Sequence, residues 1–498
     1  MDLVTLLDMV AAGGADRVLV GSRQDGLTGL DLRSRAASGG KLLAELETKK
    51  LIYLGGNQPA FAVALFSAAA AHCPFLPLNY RLSDIQLTEI LQRHEGVVVT
   101  DNPERVEVIA PNHRTLTIDE FMTRTSTTVD GNLDPADMDD IAVLLMTSGT
   151  TAAPKSAVLR HHHLTSYVVG SVEFASAEPT DSTIVSVPPY HIAAVANLLS
   201  NLYAGRRIVY LDQFTPQEWL GVVRSEAITN AMVVPTMLSR IVDELEGAGE
   251  TGPSTLRSLS YGGAKVSARV IESALKLFPD TGFVNAYGLT ETSSSIAVLG
   301  PDDHREAVAA EDPAVRARLG SVGRALPGVA IEVRRPDGTA CSVGEVGEIM
   351  VRGAQVAGEY LEAGSTLAAD GWFSTRDRGH LDADGYLFVE GRADDTIIRG
   401  GENIAPAEIE DVLARHEAVR ECVVAGVPDD EWGHRIAAYV VLRAGSTPSQ
   451  DEIKDFVRNR LRSSKTPDIV VFLDELPTTA TGKILRRNLV EQTRRTTA

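Results

Sequence analysis

The sequence predicts an α/β protein of more than one domain: layered α/β subdomains first, a β subdomain after them, and a separate small α/β unit at the C-terminal end. Three observations predict it. At 498 residues the chain exceeds what one ordinary hydrophobic core serves. Up to about Asp140, short apolar runs such as Leu51-Ile52-Tyr53-Leu54 and Val97-Val98-Val99 alternate with Ala/Leu-rich helical stretches, the pattern of parallel strands with crossover helices. Between Gly323 and Asp384 the chain turns glycine-rich, with β-like runs at Ala330–Val333 and Gly347–Val351. The last hundred or so residues, with helices predicted over 406–416 and 451–463 and a strand over 436–441, form the third region.

Composition is that of a packed globular protein, 44% hydrophobic and 23% charged. A net charge of -20 and a pI near 5.0 disfavour nonspecific binding to nucleic acid or to an anionic membrane. Local charge can still favour an anionic ligand. The three cysteines, Cys73, Cys341 and Cys422, are far apart, so neither a disulfide framework nor a zinc site is expected, and a reducing cytoplasm suits them. The N-terminus lacks the basic n-region of a signal peptide. The longest apolar stretch, Ala60 to Ala71, falls short of the ~20 residues of a membrane helix and reads as a core helix. A helix is also expected to start near Ser83 or Asp84, either of which can cap it.

The strand Ile141–Met146 delivers Thr147-Ser148-Gly149-Thr150-Thr151-Ala152-Ala153-Pro154-Lys155, a hydroxyl-rich turn. Hydroxyl donors, backbone N–H groups around Gly149 and the Lys155 ammonium can together coordinate a polyphosphate. The spacing is not that of the G-x-x-x-x-G-K-[ST] loop. Further on, His161-His162-His163 cannot easily converge on one ion, since adjacent side chains point in different directions. Val185–Val187 ends in Pro188-Pro189-Tyr190-His191, a corner able to line a pocket. The strand-then-small-residue pattern recurs at Val233-Val234-Pro235-Thr236 and at Tyr261-Gly262-Gly263-Ala264, where glycines let a flat ligand approach the backbone. In Asn285-Ala286-Tyr287-Gly288-Leu289-Thr290-Glu291, the tyrosine can stack on an adenine, Thr290 can bond phosphate or carboxylate oxygens, and Glu291 can hold Mg²⁺. Asp377, ending Gly371–Asp377, can bridge two vicinal hydroxyls of a ribose.

Thr-Ser-Gly-Thr-Thr-x-x-Pro-Lys at Thr147–Lys155 resembles the phosphate loop of the adenylate-forming superfamily of acyl-CoA synthetases, carrier-loading adenylation domains and luciferases. Pro77–Leu82, Tyr287–Glu291 and the Gly482-Lys483 turn resemble further motifs of that superfamily, in the expected order. Two positions depart from its usual pattern: Ala152 stands where glycine is common, and Ser156 where glycine follows the lysine.

The resemblance implies a large AMP-binding domain over 1–392 and a small mobile domain over 393–498 rotating about Asp394. It implies that Thr147, Ser148, Gly149, Thr150, Thr151, Lys155, Gly263, Ala264, Asn285, Ala286, Tyr287, Gly288, Asp377 and Arg392 hold the nucleotide, with Mg²⁺ at Glu291. His191, Thr236, Tyr261 and Gly262 would face the acid; Gly400, Gly401 and Glu402 would approach the thiol acceptor; Lys483, with Thr290 and Glu291, would serve adenylation. The implied reaction activates a carboxylic acid with ATP and Mg²⁺ to an acyl adenylate, then transfers the acyl group to coenzyme A. The alternatives are transfer to a carrier protein or another nucleophile, and, motivated by Ala152 and Ser156, a noncatalytic nucleotide-binding protein. The partners expected are small molecules, with no nucleic acid and no membrane insertion.

Overall fold

The expected core helix is Pro59–Ala70, with proline in its first turn and every residue from Ala60 to Ala69 buried. The helix Gly29–Glu45 packs along it so closely that a Cβ on Gly39 would lie 1.9 Å from Ser67 Oγ, which leaves only glycine there. These helices belong to the largest apolar cluster, which also takes in Phe75, Trp219, Leu238 and Phe283 from strands and helices across the first three hundred residues. The computed structural model describes residues 1–126, 133–147, 155–392, 395–399, 402–429, 432–479 and 484–497.

Two large sheets flank this core. In one, Ile141–Thr147, Phe75–Pro77, Leu51–Leu54, Val97–Thr100 and Arg114–Thr117 lie side by side and parallel. Lys155–Arg160 returns antiparallel along Ile141–Thr147, placing Lys155 opposite Thr147. Glu359–Tyr360, from much later in the chain, joins antiparallel on Lys155–Arg160. In the other sheet, Gly282–Leu289, Ser258–Gly262, Asn230–Val233, Ser182–Val185 and Arg207–Tyr210 run parallel. The expected β subdomain is a four-stranded antiparallel sheet of Val329–Arg334, Gly347–Gly353, Phe373–Leu381 and Leu387–Arg392.

The C-terminal region carries Val419–Asp429, Gly433–Leu442 and Ile469–Leu473 as one sheet. Its apolar clusters, built around Ile409, Leu413, Ile453 and Val457 on one side and Tyr439, Leu476 and Leu489 on the other, draw only on residues from Ile397 onward. Lys265 Nζ reaches Asp411 Oδ2 at 2.6 Å and ties this region to the larger one.

Several boundaries move. The C-terminal helices stop early, at Leu413 and Arg458, with Ala414 and Asn459 as their C-cap residues. Ser83 and not Asp84 caps its helix, its Oγ accepting the Gln86 N–H while the Gln86 side chain accepts the Ser83 N–H. Thr236 lies in the first turn of the helix Pro235–Ala248 and not in an open turn, since Pro235 is pre-set for a helical start. No helix among the described residues is long and apolar enough to cross a membrane. The cysteines are free thiols.

Each imidazole of the histidine triplet has a local partner. His161 Nδ1 accepts the Leu3 N–H, His163 Nδ1 accepts the Arg160 N–H, and His162 lies against Asp139 and the Met138 carbonyl. Burial holds His161 and His94 at about 4 and His163 at about 3, below the usual value of 6.5. The unfolded chain protonates these rings near pH 6.5 and the folded chain does not, so their contribution to stability is lost as pH falls from about 6.5 toward 4. Thermal melts are expected to shift down by several degrees between pH 7.5 and 4.5; a flat melting temperature across that window would refute the burial of neutral histidines.

Candidate active site

Parallel strands end at a common edge, and ligands of open α/β sheets bind beyond the carboxyl ends of the strands. Ser182–Val185 leads there to His191, Asn230–Val233 to Thr236, Ser258–Gly262 to Gly263-Ala264, and Gly282–Leu289 to Thr290-Glu291. The topology therefore gathers residues that the chain spaces a hundred positions apart. Gly263 adopts φ +89°, a left-handed conformation, and a Cβ placed on it would meet nothing within 4 Å, so open space faces its backbone.

On Gly282–Leu289 a bulge falls between Tyr287 and Gly288, where a Cβ on Gly288 would sit 1.9 Å from the Ser294 carbonyl oxygen. The Tyr287 hydroxyl donates to Asp377 Oδ2 at 2.6 Å. Burial and the Asp377 charge push this phenol well above its usual range, so it stays a donor. Asp377 pairs across the β subdomain with Arg392, whose Nε lies 3.3 Å from Oδ1. Arg376, at φ +60°, bends the strand just before Asp377, whose backbone N–H donates to Thr375 Oγ1. Asn285 donates to the Ser321 carbonyl and holds the neighbouring loop.

Glu291 sits in a single 3₁₀ turn, Thr290–Thr292. Its carbonyl accepts the N–H groups of Ala357 and Gly358, and its carboxylate accepts the Tyr360 hydroxyl at 2.5 Å. Lys155 Nζ stands 5.4 Å from the centroid of the same Tyr360 ring, a cation–π distance. Gln355 Nε2 donates to the Thr292 and Ser295 carbonyls, so the segment around 355–360 pins the whole Glu291 turn.

His191 opens the helix Ile192–Ala204 without capping it. Burial alone lowers its pKa to about 4, leaving a neutral ring. Tyr190 stacks edge-on against Tyr80 of the Pro77–Leu82 segment, with centroids 5.9 Å apart. Asn57 Nδ2 donates to the Val187 and Leu211 carbonyls and fixes the strand ends beneath this corner. Tyr261 is 1% exposed and donates its hydroxyl to His304 Nε2 at 2.9 Å, while His304 Nδ1 donates to the Gly300 carbonyl. Tyr261 thus anchors Gly262 from the core and offers no polar group outward. Tyr360, Gln355 and His304 went unnoticed in the sequence, where no local pattern marks them.

Ser148, Gly149, Thr150, Thr151, Asp394, Gly400, Gly401 and Lys483 lie outside the described residues. Thr147 Oγ1 donates to the Lys155 carbonyl between the two paired strands. Glu402 accepts from Arg462 Nη2 at 2.6 Å. Thr478 and Ile484 pair in an isolated antiparallel bridge.

The donor set fits a magnesium nucleotide: a carboxylate held by a phenol, an ammonium over the ring of that phenol, a largely buried aspartate paired with a half-buried arginine, and an open glycine backbone. The profile of the AMP-binding enzyme family matches residues 7–361, and that of the AMP-binding enzyme C-terminal domain matches residues 408–483. The chain belongs to the AMP-binding enzyme family. A feruloyl-CoA synthase from an Amycolatopsis species is 34% identical to this AMP-binding enzyme over 466 residues, 91% of this chain and 90% of the relative. A fatty acid–[acyl-carrier-protein] ligase from Streptomyces coeruleorubidus is 32% identical over 456 residues, covering 88% and 86%. The o-succinylbenzoate CoA synthetase of Bacillus subtilis, solved with its acyl-adenylate intermediate, superposes with a TM-score of 0.84 at 28% identity over 97% of each chain.

Proposed function

We propose that this AMP-binding enzyme converts an aromatic or arylalkyl carboxylic acid to its coenzyme A thioester in two half-reactions, with ATP and Mg²⁺. In the first, a carboxylate oxygen attacks the α-phosphorus of ATP; the bond to the bridging oxygen of the β-phosphate breaks and pyrophosphate leaves. In the second, the coenzyme A thiol, losing its proton, attacks the acyl carbon and AMP leaves. The observation that carries the reading is the gathering, from three sheets, of Lys155 and Glu291 around Tyr360 and of the Asp377–Arg392 pair around Tyr287.

The roles follow from charge. Asp377 accepts from the ribose hydroxyls, and Arg392 and Tyr287 keep it aimed. Lys155, with the hydroxyls of the phosphate loop, offsets charge on the departing pyrophosphate. Bound at Glu291, Mg²⁺ supplies Lewis-acid neutralisation of the phosphate oxygens. Thr290, beside Glu291, binds phosphate or carboxylate oxygens, and Lys483 bridges carboxylate and α-phosphate. Neutral His191, with Tyr190 and the half-buried Ala193 beside it, walls an apolar pocket for the acid. The domains divide at 392/393 and alternate about Asp394, bringing Gly400, Gly401 and Glu402 to the thiol channel; the separate apolar cluster from Ile397 onward supports this division. A reducing cytoplasm suits the free thiols.

Hydroxamate-trapped pyrophosphate release over a panel of aryl, arylalkyl, fatty and amino acids, with and without coenzyme A, tests the reading. A coenzyme A-dependent aryl thioester is expected. Adenylate without thioester would indicate a carrier protein or another acceptor, and ATP binding without turnover of any acid would indicate a noncatalytic protein.

A further inference from the structure

Ser156, the residue after the phosphate-loop lysine, is 0% exposed, yet its polar groups are fully engaged. Its N–H donates to Glu362 Oε2 at 2.9 Å and its hydroxyl to Glu362 Oε1 at 2.7 Å, so one carboxylate takes both. Its carbonyl accepts the Leu361 N–H. His94 Nε2 lies 3.2 Å from Ser156 Oγ, and because the hydroxyl proton goes to the carboxylate, the imidazole is the donor in that contact. Hydroxyl, imidazole and carboxylate together suggest an activated nucleophile, but the geometry excludes it. A nucleophile faces a ligand; this serine, its hydroxyl donated to the Glu362 carboxylate, is fully enclosed and faces no solvent.

The cluster gains meaning from its neighbours. Glu362 lies in the turn that joins Glu359–Tyr360 to Gly364–Ser365, a turn closed by the Ala363 N–H on the Tyr360 carbonyl. Tyr360 holds the Glu291 carboxylate and underlies Lys155 Nζ, while Glu362 grips the residue next to Lys155. Glu359 adds a two-point ion pair to Arg160 at the far end of the same strand, with Oε1 to Nη2 at 2.7 Å and Oε2 to Nε at 3.0 Å. Four consecutive residues thus tie the strand bearing Lys155 to the turn bearing Glu291. A glycine at 156, usual in the resembled superfamily, would have no hydroxyl for this bond.

We propose that Glu359–Glu362 is a brace that sets the position of Lys155 relative to Glu291, with Glu362 and Ser156 as positioning residues for adenylation that touch neither nucleotide nor acid. The proposal rests on the assignment of Lys155 to the polyphosphate and Glu291 to the metal. A small misplacement of a positioned group costs about 10²-fold in rate. Loss of the brace therefore acts on the half-reaction that uses both groups and spares the other.

The test compares Glu362→Ala, Glu362→Gln and Ser156→Ala, with Lys155→Ala and Glu291→Gln as controls. Readouts are ATP–pyrophosphate exchange against MgATP concentration, thioester formation from presynthesised acyl adenylate and coenzyme A, and thermal melting. Glu362→Ala is expected to lower kcat/KM for MgATP in exchange by about 10²-fold, while thioester formation changes less than about twofold. Glu362→Gln, which keeps an acceptor oxygen, should recover part of the loss. The double variant with Ser156→Ala should be no worse than Glu362→Ala, because both remove one contact. Equal losses in both half-reactions, or full exchange activity in Glu362→Ala, would overturn the brace. If Glu362→Ala fails to fold, Ser156→Ala, which removes only one oxygen, decides by the same split. Retained exchange in Lys155→Ala and Glu291→Gln would overturn the underlying assignment; loss there beside an unaffected Glu362→Ala would sink the brace alone.

Discussion

Lys483→Ala is expected to lose about 10²–10³-fold in ATP–pyrophosphate exchange, the usual consequence of removing one positioned donor from a developing charge. Thioester formation from presynthesised acyl adenylate and coenzyme A should persist, because attack by a thiol on an activated acyl group does not need a cation between carboxylate and α-phosphate. The described residues on either side of Lys483 in the chain have bonds of their own. The Leu485 N–H donates to the Pro477 carbonyl at 2.8 Å, and Arg486 reaches Glu410 at 2.7 Å and Asp395 at 3.4 Å. Melting should therefore be unchanged within about a degree, which separates a chemical effect from a folding one. Equal loss of both half-reactions would show that Lys483 serves binding or structure and not the adenylation step.

Asp377→Ala is expected to raise the KM for ATP by about 10²-fold and to destabilise the protein by about 1–3 kcal/mol, the cost of leaving a buried partner unsatisfied. The carboxylate is a junction of two bonds: Tyr287 Oη donates to Oδ2, and Arg392 Nε approaches Oδ1. Its side chain is 11% exposed, so water replaces neither partner well. Tyr287→Phe, removing only the hydroxyl, should give a smaller rise in KM and a smaller shift in melting. ATP titrations of the three proteins, with melts run alongside, check both halves of the expectation. An unchanged KM in Asp377→Ala would remove Asp377 from the ribose site.

Tyr287, Glu291, Lys155 and Asp377 stand out as candidates because each stands in a short run whose residue types already suggest a chemistry: an aromatic and a carboxylate after a strand, an ammonium after hydroxyls. The core helix Pro59–Ala70 and the strands of the parallel sheets were readable for the same local reason, since burial on all sides demands continuous apolar runs. Reading Tyr261 as a pocket residue shows the limit of that method. A tyrosine beside two glycines looks the same in sequence whether its hydroxyl meets a ligand or, as here, His304 in the core.

The amino-acid sequence by itself determined the fold class, the order of the subdomains and the chemical character of the nucleotide site. Tertiary structure alone decided which distant side chains meet in and beside the candidate site: Tyr360 meets Glu291 across 69 positions, Tyr287 meets Asp377 across 90, and Glu362 meets Ser156 across 206. The physical reason is the range of the information. Strand period, helix period and turn chemistry act over a few residues, whereas these contacts depend on where two sheets and a late-added edge strand finally lie.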